Sequence, residues 1–138
     1  MSAKWAGSLT RLANYEVETL QKRLGEVVER RLDAELRRTL LQAEAEAEAE
    51  NARADADSAM FHPQFLKGWR IRRDKLEELI EAIKAEEQGA RDALSRAFEE
   101  LKKYEHVLEV SKAAAAKEMG RLETAALDEL GLRAASRR

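Results

Sequence analysis

The chain offers little to do chemistry with. His62 and His106 are its two histidines, far apart in sequence, and cysteine is absent. No His-x-x-x-His pair or other metal-ligand spacing occurs. Without thiols, neither disulfides nor thiolate nucleophiles are available, which suits a reducing cytoplasm. Gly25, Gly68, Gly89 and Gly120 stand singly inside helical pattern and form no phosphate-cradling loop. Carboxylates are abundant, with 27 Asp and Glu, but they fall on solvated helical faces with no cleft to shift their pKa values. The expectation is a protein with no catalytic residue, no cofactor and no metal site. His62 reads as a turn residue and His106 as solvated.

Two other groups of residues invite attention. The first is the basic cluster Lys67, Arg70, Arg72, Arg73 and Lys75 beside Phe61, Phe65 and Trp69. Such a cluster is either a solvated face over core aromatics or a partner site, where exposed aromatics and arginine concentrate binding energy. Nucleic acid is disfavoured as the partner. The net charge is −2, and an acidic stretch over residues 44–50 shares the same end. The second group is the late leucines Leu122, Leu127 and Leu130, discussed below.

The elements that carry these groups are helices. Of 138 residues, 38% are charged and 5% aromatic, with one proline and six glycines. That is the composition of long helices and coiled coils. Disorder is the other reading of high charge, but the leucines recur at regular spacing. No apolar run approaches a membrane span. Met1-Ser2-Ala3-Lys4-Trp5 lacks the apolar stretch of a signal peptide.

Pro63, the one proline, fits best in the first turn of a helix, where its missing N–H costs nothing. It disfavours helix at His62. With Asp55-Ala56-Asp57-Ser58 upstream, a turn is expected at about residues 58–63. Steps of three and four from Leu66 pass through Trp69, Leu76, Ile80, Ile83, Ala90, Leu94, Ala97, Leu101, Tyr104, Leu108, Ala115, Leu122, Ala125 and Leu132. Arg73, Glu87, Ser111, Glu118 and Glu129 are the polar exceptions. In the first helix Val17, Leu20, Leu24, Val27, Arg31, Ala34, Arg38, Leu41 and Ala45 keep one frame. Leu9 and Leu12 lie one position out of it, as a stutter would place them. Val28, Leu32, Leu36 and Leu40 form a second stripe. The alternation of Ala43–Glu50 suits a helix, since Ala and Glu are poor strand formers.

The expected fold is all-α: a long antiparallel two-helix coiled-coil hairpin filling residues 1–138 as a single domain. Helix one covers about 4–57 and helix two about 64–131, with Gly131 as terminator and a short basic tail over 132–138. A turn centred near residue 60 or 61 sets Leu41 against Ile80, Val27 against Leu94 and Ala52 against Trp69. It also sets Glu48 against Arg73, and Glu87 beside Arg31 and Arg38. A register one heptad away satisfies the same repeat. Ala3 pairs with Glu118 in this register, so the segment from about 119 onward has no partner in the chain. Leu122, Leu127 and Leu130 then form a candidate binding surface.

Trp5-Ala6-Gly7-Ser8-Leu9-Thr10-Arg11-Leu12-Ala13-Asn14-Tyr15-Glu16-Val17-Glu18 resembles the start of the flagellar export FliJ family, its alphaproteobacterial members in particular. Lys102-Lys103-Tyr104-Glu105-His106 and Glu123-Thr124-Ala125-Ala126-Leu127-Asp128-Glu129 are similar to that family's C-terminal half. The likeness spans nearly the whole chain. It implies a hairpin like the central stalk of rotary ATPases, without enzyme activity, working in the flagellar type III export apparatus. The partners it implies are the hexameric export ATPase, the cytoplasmic domain of the membrane-embedded export gate, and export chaperones. The place it implies is cytoplasmic, peripheral at the inner membrane. The chain ends would then enter the ATPase ring, while the tip with Phe61, Phe65, Trp69 and Arg70 would face the gate. The Ala/Glu run matches no motif of that family. The alternative is a coiled-coil scaffold that homodimerises or binds another helical partner; an RNA-binding helical arm is a third reading.

Overall fold

The computed structural model describes residues 3–137. They form two helices, α1 (Ala3–Ala54) and α2 (Ala56–Ser136), and no strand among the described residues. No helix among them is long and apolar enough to cross a membrane. The chain divides into two compact units. One is Leu20–Leu94; the other joins Met1–Thr19 with Ser95–Arg138.

The helices are interrupted at Asp55, so the turn expected over 58–63 lies earlier. Asp55 acts as an N-cap: its Oδ1 accepts the Asp57 N–H at 3.3 Å, and its Oδ2 accepts the Ser58 hydroxyl at 3.0 Å. Pro63 sits inside α2 and not at its start. There it deprives the Ala59 carbonyl of its helical donor, a local cost of about 3 kcal/mol. The ladder is otherwise continuous. The tail expected to begin at residue 132 is also helical, and α2 runs through Gly131 to Ser136. Ala43–Glu50 is helix, as the propensity of Ala and Glu dictates.

In the Leu20–Leu94 unit the core is a cluster of Val27, Ala34, Ile80 and Ile83, with Leu76 packed against it. Ile80 was expected against Leu41. It lies instead in the cluster with Ala34, seven positions earlier on α1. Leu41 receives Trp69, whose indole Nε1 donates to the Leu41 carbonyl at 2.7 Å. The register is thus shifted by about one heptad. The ion pairs follow. Glu48 does not meet Arg73; Glu44 takes Arg72 at 2.8 Å, while Arg73 bonds Asp74. Glu87 holds Arg31 at 3.0 Å as expected, but Arg38 reaches Glu77 at 3.4 Å.

The heptad frame itself is the observed one. From Leu66 to Ser111 every frame position is buried or half-buried. On α1 the frame runs back past Val17 through Ala13, Thr10 and Ala6 without a stutter. Ala6 is fully buried and Leu12 is 66% exposed. Small side chains here let the helices approach closely: a Cβ on Gly7 would lie 3.9 Å from Leu108 Cδ1. The expected Ala3–Glu118 level would have put Gly7 beside Ala114, so this unit carries a similar slip.

Candidate partner-binding surfaces

Two surfaces derive from these elements. The first is the distal part of α2. Ser111 is the last half-buried position, and every described residue from Lys112 to Arg137 is exposed. The unpartnered segment therefore begins near residue 112, about a heptad before the expected 119. It remains helical by local means alone. Alanine and leucine carry good helix propensity, and Arg121–Glu118 at 2.7 Å and Arg133–Glu129 at 2.9 Å brace its surface. The hydrogen bond from Arg121 holds the Glu118 carboxyl below its usual range and raises the Arg121 guanidinium.

Leu122, Leu127 and Leu130 are 49%, 68% and 59% exposed. Leu122 and Leu130 share a stripe with Met119 and Ala126, spaced by three and four, and Leu127 borders it. Met119, 59% exposed, completes the stripe and was missed by the frame that runs through Leu122, Ala125 and Leu132. Its signal was the step of three to Leu122. On the opposite face stand Lys117, Arg121, Thr124 and Asp128. One apolar and one charged face on an exposed helix leave the apolar stripe open to contact with another molecule.

The second surface is near the turn, and there the expected site divides. Phe61 is 68% exposed, Met60 beside it is 73% exposed, and Arg70 is exposed. Phe65 is half-buried and stacks on His62, with ring centroids 6.2 Å apart. Trp69 is buried in the seam. It is 8% exposed, bonded to Leu41 and covered by the Arg73 guanidinium at 5.3 Å from its ring. The reason is its place in the frame, which directs the indole into the seam. Trp69 and Arg73 border an open groove of about 500 Å³ with Arg38, Leu41 and Glu46. Among the described residues, no group of three or more His, Cys, Asp or Glu could hold a metal ion.

Two long helices, a heptad-spaced seam and one exposed apolar helical stripe define an all-α, coiled-coil type of protein. The chain is 55% identical over 133 residues to the flagellar FliJ protein of Caulobacter vibrioides strain NA1000 / CB15N, a match covering 96% of each chain. It is equally similar to the flagellar FliJ protein of Caulobacter vibrioides strain ATCC 19089 / CIP 103742 / CB 15. The chain belongs to the flagellar FliJ family. No family model matches it, and no solved structure matches it.

Proposed function

We infer that this chain is a non-enzymatic stalk and adaptor of the flagellar type III export apparatus. In this reading it works in the cytoplasm, peripheral to the inner membrane. It binds the export ATPase, promotes assembly of the hexameric ring, and links that ring to the export gate and to export chaperones. The observation that carries the reading is the distal part of α2, helical and exposed from Lys112 onward, with Met119, Leu122 and Leu130 on one stripe. A helix that keeps its apolar side chains in water is suited to entering another protein's cavity. The exposed Phe61 and, about two and a half turns further along α2 on its other side, the exposed Arg70 supply two further contacts suited to the gate. The identities of these partners rest on family likeness.

The test is retention of the purified export ATPase on the tagged chain, combined with its hydrolysis rate as the chain is titrated in. The expected result is retention and a rising rate with the full chain, and neither with a chain ending at Ser111. An ATPase that is not retained and whose rate does not change overturns the reading. A second bait, the cytoplasmic domain of the gate, is expected to lose binding to Phe61→Ala with Arg70→Ala while the ATPase is still retained.

A further inference from the structure

A third apolar surface lies within the Leu20–Leu94 unit and belongs to neither candidate site. Leu32, Leu36 and Leu40 of α1 are 54%, 57% and 61% exposed. Val27, Ala34 and Leu41 point into the seam. At ~3.6 residues per turn this puts Leu36 on the side of α1 directly opposite the seam. The row is therefore more than half exposed, although a solvated outer face needs no leucine at every fourth position. Beside it Asp33 and Arg37 form an exposed pair, Oδ2 to Nη2 3.1 Å.

Two features of this row indicate what covers it. Residues spaced by four form a ridge, and two such ridges pack at a crossing angle of about −50°. The flanking charges are also self-complementary. Under a two-fold axis the same patch meets itself in reverse order. An axis beside residues 35 and 36 brings Leu32 to Leu40 and Asp33 to Arg37 of the second copy, twice over. We propose that a second copy of this chain docks here, α1 against α1, through Leu32, Leu36 and Leu40. The patch is small, well under the ~1,200 Å² of a standard interface, so the dimer is weak and concentration-dependent. This contact goes beyond the export reading and does not depend on it.

The experiment is sedimentation of the full chain over about a hundredfold range of concentration, since mass action sets the dimer fraction. The average mass is expected to rise from monomer towards dimer. Leu36→Glu, which would place a charge in the interface, is expected to weaken association about tenfold or more. Asp33→Arg alone and Arg37→Asp alone are each expected to stay monomeric, and an equimolar mixture of the two to dimerise again. All these positions are exposed, so circular dichroism is expected to show unchanged helicity. A wild-type chain that stays monomeric throughout overturns the proposal. So does Leu36→Glu dimerising like wild type, or a mixture that fails to recover. A mass increase abolished by ending the chain at Ser111 but kept by Leu36→Glu also overturns it, because the distal stripe would then be the contact.

Discussion

The indole Nε1 of Trp69 donates to the carbonyl of Leu41 across 2.7 Å, in the interior of the Leu20–Leu94 unit. That bond joins a side chain of α2 to the backbone of α1, and it can form in one register only. Trp69→Ala is expected to destabilise the protein by about 3–5 kcal/mol, as loss of a buried tryptophan does. Trp69→Phe, which keeps a ring but loses the N–H, is expected to cost about 0.5–1.5 kcal/mol for the hydrogen bond alone. Urea unfolding followed by far-UV circular dichroism gives both values. A Trp69→Ala protein as stable as wild type would place the indole outside the seam.

Charge pairing tests the register independently. Arg31 and Glu87 face each other at 3.0 Å, whereas Glu48 and Arg73 do not meet. A double-mutant cycle with Arg31→Glu and Glu87→Arg is expected to show favourable coupling in the denaturation midpoint. The same cycle with Glu48→Lys and Arg73→Glu is expected to show none. Favourable coupling in the Glu48–Arg73 cycle would restore the register one heptad away.

Acid should weaken the hairpin in part through Glu44. The hydrogen bond from Arg72 holds the Glu44 carboxyl below its usual 4.5. A carboxyl depressed in the folded state contributes stability above its unfolded pKa and loses it as pH falls through the folded value. The stability difference between wild type and Glu44→Gln is therefore expected to be present at neutral pH. It should shrink once pH drops below about 4.5, as the unfolded carboxyl and then the folded one take up protons. A difference independent of pH would show that Arg72 does not stabilise the ionised form.

Ending the chain at Ser111 removes no buried residue among those described, so the thermal midpoint of the remainder is expected to be unchanged. Ending it at Glu100 removes Leu101 and Leu108, which are buried and half-buried, and is expected to lower the midpoint markedly. Each distal leucine buried at a partner contributes roughly 1.5–3 kcal/mol. Leu122→Ala with Leu130→Ala is therefore expected to weaken ATPase binding strongly without altering the melt. A melt lowered by the Ser111 stop would mean that the distal helix packs on its own chain.

Gly89 lies within α2, and nothing stands within 4 Å of where a Cβ would be. Gly89→Ala is expected to stabilise the protein by up to about 1 kcal/mol, the helix-propensity difference between the two residues. A loss of stability would show that the site needs the bare backbone.

Helicity and the identity of the seam were legible in the sequence because both are local. Propensity acts residue by residue, and steps of three and four from Leu66 select the face that becomes buried whatever it packs against. The exposed distal leucines were legible for a related reason: α2 is longer than α1, so some part of it must lack a partner. Register was decided only by the tertiary structure. A heptad repeat looks the same after a slip of seven, and the punctuation at Asp55 and Pro63 is worth only about 1–3 kcal/mol either way. The choice therefore fell to contacts between the helices, with Trp69 on Leu41, Ile80 in the cluster with Ala34, and Arg72 on Glu44. The same contacts moved the turn to Asp55, left Pro63 inside a helix, and made Trp69 core instead of surface. Interhelical packing sums over many residues, and no single stretch of the chain contains that sum.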